Sequence, residues 1–383
     1  MYQIFIIAGF VAVAAASPAA QAIDFSLVNS ALSPTFTSSP WGANKQSYPH
    51  NTASSSSVEV PTTTPQPTAT TYRRSSGTST TSSDTSCPTQ PEAGTYCGFI
   101  NPNDACAPQP DGYGPHVEPD TVAAFRAYPE FSQQALAAAA PGYTSTFKNL
   151  NASFSAKTYL GLTTFTSYDA PLCAEYCNKK DLCTGFNIYV ERDPSQKPAE
   201  NCTQPASITN YKCTLWGSGV SAESATNYGG YRRNFQIAIA GSDGFEKTNT
   251  TIPATPPGWH QPKKCGGDGS KVHNHPGACI GTHFFPGAYN PALCAAYADA
   301  QNARHAKSSF GQKLASFWTS GKYNPQKCKF FNSYMLKKNG RPLGTYCGLY
   351  SKQYDGSAAD YSPGWQGSTF WGIESSWSFS IKP

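Results

Sequence analysis

Hydrophobic positions are distributed unevenly along this chain of 383 residues. An apolar run from Ile4 to Ala16 is followed by small residues that end in a candidate cleavage sequence, Ala20-Gln-Ala22. The run is typical of a secretory signal peptide, and it is shorter than the ~20 apolar residues that a membrane-spanning helix requires. We therefore predict that residues 1–22 are a signal peptide. The mature protein is expected to be secreted, without a membrane span, and extracellular or associated with the cell wall.

The hydrophobic pattern is lost between Thr52 and Ser86, where 21 of 35 residues are Ser or Thr. This segment has almost no large apolar side chain to bury, so it cannot offset the entropy that ordering would cost. We predict that residues 23–86 form a disordered, O-glycosylated stalk. Within the stalk, Arg73-Arg74 is either a pair of solvated arginines or a dibasic processing site.

Apolar, aromatic and cysteine positions recur in the same order in two parts of the remaining chain, which indicates an internal repeat. The first copy contains Leu172-Cys-Ala-Glu-Tyr-Cys177, Cys183-Thr-Gly-Phe-Asn-Ile-Tyr189, Cys213-Thr-Leu-Trp216 and Tyr228-Gly-Gly-Tyr231. The second contains Leu293-Cys-Ala-Ala-Tyr-Ala298, Cys328-Lys-Phe-Phe-Asn-Ser-Tyr334, Cys347-Gly-Leu-Tyr350 and Tyr361-Ser-Pro-Gly-Trp365. We predict a cysteine-containing lead-in at 87–117, a first module at 118–245, a linker at 246–264 and a second module at 265–383.

The spacing within each copy predicts a helix followed by strands. Apolar and cysteine residues three and four positions apart place Cys173 and Cys177 on one face of a short helix. Asp169 in the first copy and Asn290 in the second are suitable N-caps. Strands are expected at 186–190 and 214–216, where apolar residues alternate or run together. The predicted fold class is therefore α+β, with a short helix on an antiparallel sheet in each module.

These residues resemble a known module. A helix bearing Cys-x3-Cys, a third cysteine before a Phe-rich strand, and a Cys-x-Leu strand are similar to the PAN or apple module. The continuation, with Glu191-Arg-Asp-Pro194 and Gly241-Ser-Asp-Gly-Phe245, resembles a group of secreted fungal proteins that carry paired apple-like units. The resemblance implies three disulfides, which are Cys173–Cys213, Cys177–Cys183 and Cys294–Cys347.

The second copy departs from the pattern of the module. Ala298 stands where the first copy has Cys177, so Cys328 lacks its expected partner and pairs instead with Cys279 or Cys265. The chain has 13 cysteines, an odd number, and at least one must be free or intermolecular. Sequence does not determine disulfide connectivity, and the pairing therefore stays open for a further set, namely Cys87, Cys97, Cys106, Cys202, Cys265 and Cys279.

Charge and composition exclude some classes of partner. The net charge is +5 with only 13% charged residues, so the chain has no basic field strong enough to indicate binding to nucleic acid. Three N-glycosylation sequons, at Asn151, Asn201 and Asn249, agree with passage through a secretory pathway.

No residue pattern predicts a catalytic centre, a metal site or a cofactor. His273 and His275 lie between Cys265 and Cys279, but two histidines without a downstream ligand pair do not match a zinc site. We expect a polar surface loop clipped by the two cysteines. No Gly-x-Ser-x-Gly motif occurs in the sequence.

Paired carboxylates are the one catalytic arrangement that the sequence leaves open. Glu191 and Asp193 are a candidate acid and base for glycoside hydrolysis, which requires two carboxyl groups at a set separation. Residues 191–194 follow a predicted strand, however, and we expect them to form a turn with an arginine ion pair. We therefore predict that the protein is not an enzyme.

The candidate binding residues lie near the end of each copy, where Tyr228-Gly-Gly-Tyr-Arg-Arg233 aligns with Tyr361-Ser-Pro-Gly-Trp-Gln366. The first tyrosine of each segment is expected in the core. Exposed tyrosine and tryptophan rings stack on sugars or anchor protein partners, and arginine binds carboxylates. The predicted site residues are Tyr231, Arg232, Arg233 and Trp365.

We expect a secreted, non-catalytic binding protein that recognises glycan or protein in the cell wall or extracellular matrix. The alternatives are an extracellular hydrolase acting on polysaccharide and a passive structural glycoprotein of the cell surface.

Overall fold

The structure is a computed structural model. It describes residues 23–31, 104–109, 112–248, 252–316 and 327–383 and the backbone of residues 35–36 and 46–47, but not the side chains of residues 304–316. The first elements are helix α1 (Phe25–Ser30) and two short antiparallel strands, β1 (Thr35–Phe36) and β2 (Gln46–Ser47). The signal peptide predicted at 1–22, most of the predicted stalk, Cys87 and Cys97 lie outside the described residues.

Two mixed α+β modules follow. The first contains α2 (Val122–Ala127), α3 (Pro129–Ala137), β3 (Tyr143–Leu150), β4 (Tyr159–Phe165), α4 (Ala170–Lys179), β5 (Gly185–Pro194), β6 (Ser207–Trp216), β7 (Gly230–Arg232) and β8 (Phe235–Lys247). The second contains β9 (Lys263–Lys264), β10 (Cys279–Pro286), α5 (Pro291–Ser316), β11 (Phe330–Lys338), β12 (Arg341–Tyr350), β13 (Gly364–Gln366) and β14 (Thr369–Ser380).

The two modules share one topology. Each has a six-stranded antiparallel sheet, with the order β3-β8-β5-β6-β4 in the first and β10-β12-β11-β14-β13 in the second. Two further strands complete the sheets, because β7 pairs with β8 and β9 pairs with β14. Strands β4, β5, β6, β7 and β8 therefore correspond to β10, β11, β12, β13 and β14. The internal repeat that the sequence predicts is therefore also a structural repeat, because corresponding strands occupy the same order in both sheets.

One helix of each module packs on the sheet and begins at the predicted cap. The Asp169 carboxylate accepts a hydrogen bond from the Leu172 amide at 2.8 Å, and the Asn290 side chain accepts one from the Ala292 amide at 3.0 Å. The cysteine-bearing face of each helix lies on the sheet. Cys173 and Cys294 are both fully buried in the helix-side cores.

The structure contains all three disulfides that the resemblance implied. Cys173–Cys213 and Cys294–Cys347 join the helix of each module to β6 or β12, and Cys177–Cys183 closes the end of α4. A fourth disulfide, Cys106–Cys202, ties the lead-in to the loop between β5 and β6.

The pairing expected for Cys328 is wrong. Cys265, Cys279 and Cys328 are all unbonded in the structure. Cys328 lies in the core beneath α5, whereas Cys265 accepts a hydrogen bond from the Asn332 side chain on the opposite face of the sheet. Cys279 begins β10, which is separated from β11 by β12. The sheet thus places Cys265 and Cys328 on opposite faces.

The Phe-Asn pair of each copy has a structural role. Asn187 is fully buried, accepts a hydrogen bond from the Phe154 amide at 2.8 Å and donates to Ser242 and to the Asp243 carbonyl. In the second module, Asn332 makes the same three contacts, with the partners His273 N–H, Ser376 Oγ and Trp377 O. Each asparagine therefore fastens a covering loop and the neighbouring strand to the centre of its sheet.

Two predicted boundaries are corrected by packing on the second module. Ile23 and Val28 are buried on the sheet face opposite α5, and the Phe25 ring contacts the Trp371 ring at 4.5 Å. The predicted stalk therefore does not begin at residue 23. Trp259, placed in the predicted linker, is fully buried against Phe331, and the second module begins before residue 259.

The modules contact each other directly. The Tyr289 amide donates to the Gly217 carbonyl at 2.9 Å, and the Gly219 amide donates to the Glu374 carboxylate at 2.7 Å. Across the described part of the chain, every helix is too short or too polar to cross a membrane.

Candidate functional site

The candidate site consists of two equivalent hairpin tips. Tip 1 comprises residues 228–236 and tip 2 comprises residues 361–370. Tyr231 lies opposite Gln236 in the ladder of tip 1, and Trp365 lies opposite Phe370 in tip 2. Each pair is one step from a two-residue turn. The structure therefore places Tyr231 and Trp365 at the same position of the repeated sheet.

The aromatic rings of both tips face solvent. Tyr231 and Trp365 are the two most exposed aromatic side chains of the described residues, with 71% and 68% of their surface accessible. The expected core position of Tyr228 is wrong, because that side chain is 63% exposed, whereas Tyr361 is half-buried. The next residue, Gly229, has a left-handed backbone (φ 89°) and passes so close to β8 that only glycine fits.

The turn of tip 1 holds an arginine in an unfavourable backbone conformation. Arg233 has φ 56°, in the left-handed region, where the equivalent residue of tip 2 is Gly367 with φ 61°. A left-handed conformation costs a non-glycine residue roughly 1 kcal/mol. Tip 1 therefore keeps a long cationic side chain at a position where glycine would be less strained.

The guanidinium groups of tip 1 lack a direct ion-pair partner among the described residues. Arg232 and Arg233 are both exposed, and neither forms an ion pair with any described residue. A third guanidinium lies nearby, because Arg126 of α2 donates to the Tyr228 carbonyl at 3.3 Å. The three predicted residues of tip 1 thus come together with a further arginine that sequence reasoning missed.

Tip 2 is aromatic with less charge at the turn. The Trp365 and Phe370 rings meet edge to face with their centroids 5.4 Å apart. Asn339 holds Phe370 by two hydrogen bonds, donating to its carbonyl at 2.7 Å and accepting from its amide at 2.8 Å. Phe370 is not among the residues predicted from the sequence. A Gly-Ser turn between two aromatic residues is nevertheless a hairpin signal, and it would have indicated that Trp365 and Phe370 lie opposite each other.

The candidate carboxylates Glu191 and Asp193 lie in a strand and not in the predicted turn. Both belong to β5, which is paired on each side, so the chain stays extended through Pro194. Arg192 points away from them and pairs with Asp120 at 2.5 Å. The predicted turn is wrong because hydrogen bonding by two neighbouring strands outweighs the local turn preference.

A buried lysine joins the two carboxylates. Lys212 contacts the Glu191 carboxylate and lies 2.8 Å from Asp193, which also accepts from the Asn210 side chain at 2.8 Å. Burial and the neighbouring Asp193 raise the pKa of Glu191 to about 7, while Lys212 opposes the shift. Contact with Lys212 keeps the pKa of Asp193 below its usual range despite burial.

This charged cluster is specific to the first module. The positions of Glu191 and Lys212 are occupied by Leu336 and Tyr346 in the second, where α1 packs over the sheet. The side chains of Glu191 and Asp193 are only 11% and 9% exposed. We therefore assign the cluster to the interior of the module.

The histidine loop also differs from expectation. His273 is buried against Phe330, and its ring nitrogen lies 3.0 Å from a nitrogen of His275, which stacks on Tyr354. The loop covers the sheet face opposite α5 and is not a polar surface loop, and the cysteines at its ends are unbonded. Among the described residues, no group of His, Cys, Asp and Glu is arranged to hold a metal ion.

Two of the three predicted glycosylation sites are among the described residues. Asn151 and Asn201 are exposed, as an attached glycan requires, and Asn249 lies outside the described residues.

A pair of glutamates from different modules makes the interface sensitive to pH. Burial raises the pKa of Glu246 to about 7, repulsion by Glu374 adds to the rise, and Lys337 opposes it. Lys337 forms an ion pair with Glu374 at 3.1 Å. The folded protein therefore keeps a proton on Glu246 that the unfolded chain releases near pH 4.5, and this contribution to stability is lost as the pH rises to about 7.

We expect Glu246→Gln, which mimics the protonated carboxyl, to raise the melting temperature more at pH 7.5 than at pH 5. Thermal unfolding of parent and variant is measured at each pH in this range. The difference between their two melting temperatures is used, because other titrating groups contribute equally to both proteins and cancel. The exposed Glu200→Gln is the control and should give a constant difference. A constant difference for Glu246→Gln as well would contradict the assignment.

In a comparison with known proteins, no family model, curated protein or solved structure matches the chain.

Proposed function

We propose that this chain is a secreted, non-catalytic binding protein in which two PAN/apple-like modules contact polysaccharide of the cell wall or extracellular matrix through tips 1 and 2. The modular assignment is supported by the shared strand order and by the disulfides that join Cys173 and Cys294 to the corresponding strands. Secretion is supported by the number of disulfides, which form and persist in oxidising compartments.

One observation carries the proposal. The two most exposed aromatic rings of the described residues, Tyr231 and Trp365, occupy the same position of a duplicated sheet. A large apolar ring left in water is unfavourable, and the repetition of such a ring at the equivalent position of both modules supports a role in ligand contact. A polysaccharide repeats along its length and therefore offers the same sugar unit to both tips. Contact of one chain with both tips would strengthen binding without new kinds of interaction.

The alternatives are a hydrolase and a passive glycoprotein. The buried positions of Glu191 and Asp193 argue against them as a hydrolytic pair. Release of reducing sugar from a polysaccharide would establish the hydrolase, and absence of binding to any wall fraction would support the passive glycoprotein.

We expect Tyr231→Ala and Trp365→Ala each to weaken retention on insoluble wall polysaccharide by about 5- to 30-fold, which corresponds to ~1–2 kcal/mol. The physical reason is the loss of ring area that stacks on sugar, and the melting temperature should stay nearly unchanged because neither ring is packed in the core. Depletion of the secreted protein from solution by the polysaccharide measures the effect.

The matched control is Tyr176→Ala, which removes a tyrosine that is exposed on α4 and belongs to neither tip. It should bind as the parent does. If both tip variants fold normally and bind like the parent, the tips are not the binding site.

A further inference from the structure

We infer that the two tips differ in ligand class, and that tip 1 is a site for carboxylated sugar units of an acidic polysaccharide, whereas tip 2 stacks on uncharged sugar rings. This inference rests on the proposed function and specifies the ligand of each tip.

The first step is the charge of tip 1. Tip 1 itself contains two arginines and no acidic residue. Of the acidic residues nearby, Asp120 pairs with Arg192, and Glu191 and Asp193 share Lys212. The guanidinium groups of Arg232 and Arg233 are left without an ion pair among the described residues. Arg232 lies close enough to Asp193 to lower the pKa of that carboxyl, but Asp193 is buried beneath the surface. The exposed surface of tip 1 is therefore cationic.

The second step is the backbone at Arg233. The turn needs a left-handed residue, which tip 2 supplies with Gly367 and tip 1 supplies with an arginine. Strain of this kind is found where a side chain has a functional role. The strain is local to the turn, so the fold does not require arginine at this position.

The third step is the match between these side chains and one ligand. The Tyr231 ring offers a flat apolar surface for a sugar ring, and the exposed arginines that follow it in the sequence offer paired N–H donors for a carboxylate. Tip 2 repeats the aromatic ring but has Gln366 and Gly367 in place of the two arginines. A uronic acid unit combines the ring and the carboxylate that tip 1 would bind.

The repetition of the tips favours a polymer of sugars over an acidic peptide. The feature common to both tips is an exposed ring, which suits sugar stacking, and the charge is present in one tip only. A ligand recognised by charge alone would not explain the exposed rings of tip 2, Trp365 and Phe370.

The experiment compares polygalacturonate with its methyl-esterified form, which has the same sugar ring and no free carboxylate, using the full secreted chain. We expect the parent to bind polygalacturonate at least tenfold more tightly at low salt, and we expect added salt to reduce this preference because it screens exposed charges. The double variant Arg232→Gln, Arg233→Gln should bind both polymers equally. Trp365→Ala should weaken both and keep the preference, and Lys352→Gln, an exposed cation outside the tips, should behave as the parent.

A second variant separates binding from folding. Arg233→Gly should raise the melting temperature, because it relieves the left-handed strain, and it should lower the preference for polygalacturonate. Equal binding of both polymers by the parent, or an undiminished preference in Arg233→Gly and the double variant, would overturn the inference. In that case the proposed function still stands if Tyr231→Ala weakens binding to both polymers. Binding to polyglutamate but to neither polysaccharide would identify an acidic protein partner and overturn both.

Discussion

Replacing Asn332 by alanine should lower the free energy of unfolding of the second module by about 3 kcal/mol, because several buried polar groups each lose a hydrogen-bond partner. The Asn332 side chain accepts from the His273 amide at 3.0 Å and donates to Ser376 Oγ and the Trp377 carbonyl, each also at 3.0 Å. Alanine supplies none of these contacts, and no water can easily replace them at the centre of the sheet.

The equivalent change in the first module, Asn187→Ala, should have a similar cost. Asn187 makes the corresponding contacts at 2.8 to 2.9 Å with Phe154, Ser242 and Asp243. Urea unfolding, with each module followed separately, measures both effects. The control is Gln366→Ala, which removes an exposed side chain and should change stability by less than ~0.5 kcal/mol. A loss below 1 kcal/mol for either asparagine would show that neighbouring groups replace the hydrogen bonds.

Removing the Cys294–Cys347 disulfide by alanine substitution at both positions should destabilise the second module by about 4 kcal/mol. The bond closes a loop with a sequence separation of 53 residues and so restricts the unfolded chain strongly. Both cysteines are replaced together so that the change creates no additional free thiol. The half-denaturation point in urea under non-reducing conditions gives the measurement.

The Cys177–Cys183 bond provides an internal comparison. Its separation is only 6 residues, and the loop model gives about 2 kcal/mol for its removal. The matched long-loop bond of the first module, Cys173–Cys213, spans 40 residues and should cost about 4 kcal/mol. If removal of the short-loop bond and removal of the long-loop bond lower stability equally, these disulfides do not stabilise the protein mainly by restricting the unfolded chain.

The sequence alone indicated the internal repeat, and its resemblance to a known module implied three of the disulfides in the structure. Cys173 and Cys177 lie four residues apart, which in a helix puts both on one face, so the pattern and the resemblance together led to the bonds that the structure contains. The candidate rings Tyr231 and Trp365 were also recognisable, because glycine and aromatic residues recur at the end of each copy. These features depend on the spacing of residues that are close along the chain, and this spacing can be read directly from the sequence.

Only the tertiary structure decided the features that depend on distant segments. Glu191 and Asp193 became buried strand residues because β6 and β8 pair with both edges of β5, which no local turn signal reveals. Phe25 packs on Trp371 although 346 positions separate them, so a segment predicted as stalk became part of a core. Cys328 is unbonded, and Cys265, one of its two expected partners, lies on the opposite face of the sheet. Periodicity and spacing describe neighbours along the chain, whereas these outcomes follow from which strands pair and which segments cover each face.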